Sequence, residues 1–272
     1  MKYCIEYHRD SSILDEIDEI NIKYNSKETT LITFLETFKE KRVNICIPEQ
    51  EFQDFILQSQ MSIILAIKEK YPDLNFTIRF PYYKKSIDDL ISACKDNNIP
   101  FFFEAYVRDW DTLYGYISLG VSDVYIVEEM CFSIDRVYAA AHNAKVQVRV
   151  YPNVAQSSWN ETPALKKFFI RPEDTDMYSK YIDVFEFFGR PDQIDTYYDI
   201  YKKKEWFGNL NEIIISLNTV IDNRCIVDFF AERRIKCDKK CLKNRPCNIC
   251  DRCAELAETL HKHTVVIEHT KE

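Results

Sequence analysis

The densest group of chemically reactive side chains in this sequence is a run of cysteines towards its end. Five cysteines follow the pattern Cys237-x3-Cys241-x5-Cys247-x2-Cys250-x2-Cys253. Paired cysteines brought together by tight turns are typical ligands of tetrahedral metal sites, because the thiolate binds zinc strongly. In a reducing compartment such a run indicates metal binding rather than disulfide bonds. The sequence therefore predicts a metal-binding element in this segment.

Four of these cysteines complete one zinc site. We expect Cys241, Cys247, Cys250 and Cys253 to be the ligands, with Cys237 as the alternative to Cys241. The segment KCLKNRPCNICDRC, a single Cys followed by CxxCxxC, resembles the C-terminal zinc element of 7-cyano-7-deazaguanine synthases. The resemblance implies a bound zinc ion but not the activity. An iron–sulfur cluster is the alternative, since CxxCxxC also opens ferredoxin-type runs.

Basic residues surround the cysteines and leave two interpretations open. They could bind RNA or DNA phosphates, or they could offset the net negative charge of four thiolates around one divalent ion. A protein partner for this module is a further expectation, and a membrane partner is not. The basic residues are Arg233, Arg234, Lys236, Lys239, Lys240, Lys243, Arg245 and Arg252.

A second motif lies in residues 168–190, FFIRPEDTDMYSKYIDVFEFFGR. It resembles the signature region of the collagenase-like peptidase family of unassigned catalytic type. In that family a strand ending in RPED precedes a short helix and a strand that ends in an E-G-R-like turn. The matching positions are Arg171, Pro172, Glu173, Asp174, Glu186, Gly189 and Arg190.

The resemblance implies a (β/α)8 barrel that is an enzyme, or an enzyme accessory, in modification of RNA or of a small anionic metabolite. It makes Arg171, Glu173, Glu186 and Arg190 the candidate catalytic residues. Several members of the family carry a Cys-rich patch after the sixth strand. This chain has YPNVAQSSWNETPALKK there, without cysteine. The family's cluster ligands are therefore not expected here, which favours the alternative of an inactive barrel with a binding or structural role.

The elements that must position these residues alternate between strand and helix. Eight short β-rich segments are predicted, at 2–7, 43–47, 74–80, 99–105, 122–127, 145–150, 167–171 and 182–188. Residues between them recur at helical spacing, as in Ile87, Leu90, Ile91 and Cys94. Two further helices are expected near 11–22 and 28–41.

This alternation predicts an α/β fold, a TIM-like (β/α)8 barrel over 1–205, with an open doubly wound sheet as the alternative. Residues 206–272 are then a helical extension that carries the Cys-rich zinc module. It should begin with a helix marked by Leu210, Ile213, Ile214 and Leu217.

Barrel chemistry lies at the C-terminal ends of strands, where arginines and carboxylates could bind an anion and act as acid or base. The alternative is an ion-pair network that closes the barrel mouth. Polar residues expected there, besides the four candidates above, are Glu6, His8, Glu49, Arg79, Glu104, Arg108, Glu128, Glu129 and Asn153.

Composition excludes several functional classes. The net charge of −8 argues against a surface that coats nucleic acid throughout. Four glycines occur and none forms a GxGxxG or GxxxxGK[ST] loop, which argues against dinucleotide-binding and P-loop enzymes. The sequence shows neither a signal peptide nor an apolar run of the roughly 20 residues that span a bilayer. We therefore expect a cytoplasmic protein.

Overall fold

A computed structural model describes residues 1–7, 11–24, 28–49, 52, 61–126, 134–155 and 169–216 of the chain. These residues form eight parallel strands in a nearly closed barrel with helices between them, which confirms the predicted α/β barrel. The Cys-rich segment from Cys237 to Cys253 lies outside the described residues. No helix in the described ranges is both long enough and apolar enough to span a membrane.

The strands follow one another around the barrel in the order β5-β4-β3-β2-β1-β8-β7-β6. The gap between β5 and β6 is bridged by two backbone hydrogen bonds, from Ser122 N to Phe101 O (2.8 Å) and from Val107 N to Tyr125 O (2.7 Å). The strands are β1 (Lys2–Glu6), β2 (Glu19–Lys23), β3 (Arg42–Cys46), β4 (Phe76–Phe80), β5 (Phe101–Phe103), β6 (Asp123–Tyr125), β7 (Gln147–Val150) and β8 (Val184–Glu186).

The helices pack their apolar faces on the outside of the barrel. Ile87, Ile91 and Cys94 are buried as their helical spacing predicts. The described helices are α1 (Glu28–Thr37), α2 (Met61–Lys70), α3 (Asp88–Asp96), α4 (Trp110–Leu119), α5 (Ile134–Asn143), α6 (Thr175–Tyr178) and α7 (Pro191–Lys203). Short 3-10 helices span Lys85–Ile87, Pro172–Asp174 and Leu210–Glu212.

Two of the elements predicted within residues 1–205 are wrong, although the predicted count of eight strands agrees with the described barrel. The helix expected over 11–22 is absent, and β2 begins at Glu19 instead. The sequence pattern of β2 did not indicate a buried strand, because the polar residues Glu19 and Asn21 are themselves buried. The strand expected over 167–171 is not formed by its described residues 169–171, since Arg171 precedes a 3-10 helix that starts at Pro172. Proline at this position suits a helix start and lacks the N–H of a strand ladder.

The segment after α7 also differs from its prediction. Instead of a helix through Ile214, the chain forms the 3-10 turn Leu210–Glu212. Ile215 then pairs with Val154 in an isolated bridge beyond β7. Ile213 and Ile214 are buried, as expected for apolar residues that pack on the barrel, but they do not form the predicted α-helix. The described part of the extension therefore packs onto the barrel.

The barrel interior is polar, which distinguishes it from the usual branched apolar filling. Side chains alternate along each strand. Residues such as Ile20 of β2 and Ile45 of β3 face the helices, and the residues next to them in the same strand face inwards. The buried polar residues carried by the strands are Glu19, Asn21, Asn44, Thr77, Arg79, Asp123, Arg149 and Glu186.

Asp123 organises the N-terminal half of this interior. It accepts hydrogen bonds from Arg149 Nε (2.7 Å), Arg42 Nη1 (3.0 Å) and Ser122 Oγ (2.6 Å). Arg149 also pairs with Glu19. Burial alone raises the pKa of Asp123, but Arg149 and Arg42 outweigh burial and lower this pKa to about 2.

The free energy of unfolding should therefore depend on Asp123 in acid. A carboxyl group with a lowered native pKa stabilises fully above its unfolded pKa of about 3.9, and this stabilisation is lost as the pH falls towards about 2. Between about pH 3.9 and about pH 2, the free energy of unfolding of the wild type should fall by on the order of 2 kcal/mol through protonation of Asp123. Chemical denaturation at several pH values measures the slope.

The Asp123→Asn variant should be less stable at neutral pH and should lack this part of the acid slope. The matched control is Asp111→Asn, a change at an exposed position of α4, which should keep the wild-type slope. An unchanged slope in Asp123→Asn would contradict the assignment.

Candidate functional site

The C-terminal half of the barrel interior holds an ion pair between Arg79 and Glu186. Arg79 Nη1 donates to Glu186 Oε1 at 2.7 Å. Tyr125 and Tyr151 both donate to the same carboxylate, Tyr151 at 3.0 Å. Asn21 Nδ2 adds a further donor at 2.8 Å. The Glu186 carboxylate is therefore surrounded by donors from four other strands or their ends.

Strand register explains why these side chains meet. Arg79 is the fourth residue of β4, opposite Cys46 of β3 and Phe102 of β5. Glu186 is the last residue of β8, opposite Cys4 of β1. All strands are parallel, so inward-facing residues near their C-terminal ends gather at one end of the barrel. This is the end at which barrel enzymes place their active sites.

Electrostatics fixes the protonation of the site. Burial raises the pKa of Glu186, but Arg79, Arg149 and the hydrogen bond from Tyr125 more than offset burial and lower it. Burial raises the pKa values of Tyr125 and Tyr151 well above their ordinary range. At neutral pH the site thus contains a fixed carboxylate and two protonated phenols. Glu186 serves as an anchor for Arg79 rather than as a base.

Arg79 also reaches the mouth of the barrel. Its Nη2 donates to Tyr151 OH at 2.7 Å and pairs with Glu104 Oε1 at 2.9 Å. The side chain of Glu104 is 51% exposed, whereas Arg79 itself is buried. Within the described part of the chain, the buried Nε of Arg79 has no hydrogen-bond partner. Arg79 is therefore a buried cation with one contact at the rim.

Aromatic side chains surround this cation. Tyr125 and Tyr151 stack at 5.1 Å with an interplanar angle of 9°, and the Arg79 guanidinium lies 5.3 Å from the Tyr125 ring centroid. Tyr106 and Phe188 contact the Tyr151 ring edge to face, at 6.3 and 5.9 Å. Phe188 is 55% exposed, so the aromatic cluster continues to the surface.

Asn153 fixes the backbone of Phe188. Its Nδ2 donates to Phe188 O at 2.6 Å, and its Oδ1 accepts from Phe188 N at 3.1 Å. Asn153 was among the polar residues expected at strand ends. It acts on the main chain after β8 rather than offering its side chain to a ligand.

The structure places the four predicted catalytic residues in different surroundings. Glu186 lies in the barrel centre. Arg171 forms a two-pronged contact with Asp174, through Nε at 2.8 Å and Nη2 at 3.1 Å. Glu173 Oε1 accepts a hydrogen bond from Trp206 N at 2.9 Å. Arg190 is exposed, and its Nε lies 3.7 Å from Asp192 Oδ1.

Among the contacts described for Arg171, Glu173 and Arg190, none is with Glu186. The motif RPED forms a 3-10 helix that packs against α7, and Tyr201 OH donates to Ile170 O beside it at 2.6 Å. The described contacts of this motif are thus within the motif and with the helical layer and the loops, and the catalytic roles of Arg171, Glu173 and Arg190 stay predictions.

Sequence reasoning missed Tyr125, Tyr151 and Asn21. The segment VQVRVY carries a signal for Tyr151, because Gln147, Arg149 and Tyr151 alternate with valines that face the helices. Asn21 was missed with β2. Arg79 and Glu104 were expected at strand ends, but nothing in the sequence singled them out.

Among the described residues, no group of three or more His, Cys, Asp and Glu side chains could hold a metal ion. The predicted ligands Cys237, Cys241, Cys247, Cys250 and Cys253 lie outside the described residues. Cys4, Cys46 and Cys94 are free thiols, and burial raises the pKa of Cys46 to about 12. Cys46 therefore remains a protonated thiol at neutral pH.

Comparison with known proteins gives no family assignment. No protein-family model matches the chain, and no curated protein matches it. The resemblance to the collagenase-like peptidase family therefore stays a prediction, and the function has to be argued from the site.

The turn after β8 depends on Gly189, which the sequence motif includes. Its φ is +154°, and a Cβ there would lie 2.8 Å from Cε2 of Tyr197 on α7. Gly189→Ala should therefore lower the free energy of unfolding by about 1–3 kcal/mol. Urea denaturation measures the loss.

Gly115 provides the matched control, since it lies within α4 and a Cβ there meets nothing within 4 Å. Gly115→Ala should raise the stability by about 0.5–1 kcal/mol, because alanine favours helix. Equal effects of the two substitutions would refute this account of the turn.

Proposed function

We propose that the protein is a cytoplasmic barrel enzyme or enzyme accessory of the collagenase-like peptidase type. It acts in modification of RNA or of a small anionic metabolite and binds its ligand at the C-terminal mouth of the barrel. The observation that carries the proposal is the buried Arg79, anchored by Glu186 and in contact with the half-exposed Glu104 at the rim. In this proposal, zinc bound by the Cys-rich segment stabilises the extension formed by residues 206–272 and takes no part in the chemistry.

The depth of Arg79 favours a small ligand or a single extruded group over a continuous nucleic-acid backbone. Arg79 is 6% exposed, so only a narrow anionic group could approach it. A nucleic-acid backbone needs exposed Lys and Arg along its path. In the proposal, the basic residues around the Cys-rich segment provide that surface if the ligand is part of an RNA.

A second candidate function is a barrel that has lost its chemistry and acts as a binding or structural component. One observation favours it: the oxygens of Glu186 already accept from Arg79, Tyr125, Tyr151 and Asn21. A carboxylate held in this way has little capacity to move a proton. In this alternative the Cys-rich segment forms the interface to RNA, DNA or a protein.

Complementation separates the two functions. Cells lacking the gene are supplied with the wild type or with one of three variants, Arg79→Lys, Cys250→Ser or the control Arg136→Lys, a change at an exposed position of α5. Modified nucleosides in RNA and small organic acids are then profiled by mass spectrometry. Arg79→Lys keeps the positive charge beside Glu186 but loses the planar donor fork of arginine.

We expect a change on deletion that the wild type and Arg136→Lys reverse and Arg79→Lys does not. Thermal unfolding of the purified Arg79→Lys protein checks that it is folded. Full rescue by Arg79→Lys together with failure of Cys250→Ser would refute the enzyme proposal and support the binding component.

A further inference from the structure

We infer that Glu104 occupies the position of the ligand's acid group, and that a ring-bearing carboxylate binds by displacing Glu104 from Arg79. This inference rests on the proposed use of the barrel mouth as a binding site. It names the chemistry of the ligand and the residue that competes with it.

Charge balance shows that the interior does not need Glu104. Among the described residues, the buried members of the network are three cations and three anions, joined by contacts of 4.0 Å or less. The half-exposed Lys2 adds a cation at the other end of the barrel, 3.8 Å from Glu19 Oε1. Glu104 is an additional negative charge at the rim. The six interior groups are Arg42, Arg79 and Arg149 with Glu19, Asp123 and Glu186.

Glu104 is also held weakly compared with Glu186. Its side chain is 51% exposed, and its described polar contact is the one with Arg79 Nη2. Ion pairs with such exposure contribute little, because water solvates the carboxylate when the pair opens. Glu186, by contrast, is buried under four donors. An incoming anion would therefore replace Glu104 and leave Glu186 in place.

Arg79 has donor capacity for such an anion. A guanidinium carries five N–H donors. The described contacts of Arg79 use Nη1 for Glu186 and Nη2 for Tyr151 and Glu104. The Nε donor is buried and has no hydrogen-bond partner among the residues that the structure describes. Displacement of Glu104 would open the Nη2 side of Arg79 at the rim, which suits one oxygen of a single carboxylate.

The aromatic cluster indicates what the carboxylate is attached to. Tyr106 and Phe188 flank Tyr151, whose hydroxyl contacts the same Nη2 of Arg79. Phe188 exposes over half of its surface at this end of the barrel. Aromatic side chains of this kind pack favourably against planar rings. These aromatic faces beside the Glu104 position therefore favour a small planar ring that carries one carboxylate.

The test is a calorimetric titration of the full-length protein with benzoate. Three proteins are compared: the wild type, Glu104→Ala, and Glu6→Ala as a control. Glu6 is a matched residue, since its side chain is 47% exposed at the end of β1 and pairs with Lys23 rather than Arg79. Glu104→Ala should bind benzoate about threefold to tenfold more tightly than the wild type.

Glu6→Ala should bind benzoate like the wild type, and Arg79→Lys introduced into Glu104→Ala should abolish the gain. Acetate, which has the carboxylate without the ring, should bind Glu104→Ala at least about tenfold more weakly than benzoate. Unchanged or weaker benzoate binding by Glu104→Ala, no binding by any of the proteins, or an equal gain in Glu6→Ala would overturn the inference. Equal affinities for acetate and benzoate would overturn the inference that the ligand carries a ring.

Failure of this inference can be distinguished from failure of the proposed function. Loss of complementation by Arg79→Lys with unchanged benzoate affinity in Glu104→Ala would overturn the displacement of Glu104 alone. Tighter benzoate binding in Glu104→Ala with full complementation by Arg79→Lys would overturn the proposed function alone.

Discussion

The barrel depends on the pairing of charges that its strands bury. A buried charge without a partner costs several kcal/mol, so each inward-facing arginine needs a carboxylate within reach. Arg79 and Glu186 meet this requirement at one end of the barrel, and Arg149 with Asp123 and Glu19 meets it at the other. Arg149 Nη1 lies 3.6 Å from Glu186 Oε2 and joins the two halves. These pairs connect β2, β4, β6, β7 and β8 across the interior.

This constraint also shapes what the site can do. The donors around Glu186 hold its pKa down, so the carboxylate stabilises Arg79 instead of exchanging protons. Tyr125 and Tyr151 remain protonated and complete its hydrogen bonding. Arg79 is then held rigidly, with its Nη2 towards the mouth, which is the pre-organisation that anion recognition requires. Chemistry at this site would have to come from groups beyond Glu186.

The sequence predicts the architecture better than the site because the two depend on different signals. Apolar periodicity reveals helices such as α3 and α5, whose inward faces pack on the sheet. It fails for β2, where Glu19 and Asn21 are polar yet buried. Whether Arg79 and Glu186 meet depends on strand register across a barrel, and 107 residues separate them. The RPED motif is conspicuous in the sequence, but its described contacts join Arg171 to Asp174 within the motif and link the motif to Trp206 and α7.

The central claim is that Arg79 and Glu186 depend on each other inside the barrel. A double-mutant cycle with Arg79→Gln and Glu186→Gln, read by urea denaturation at neutral pH, tests it most directly. Each single substitution should cost about 3–5 kcal/mol, because it leaves a buried charge without its partner. The double variant should be more stable than the sum of the two losses predicts, by about 1–3 kcal/mol. Additive losses would contradict the claim, since they would mean that the two side chains stabilise the barrel independently.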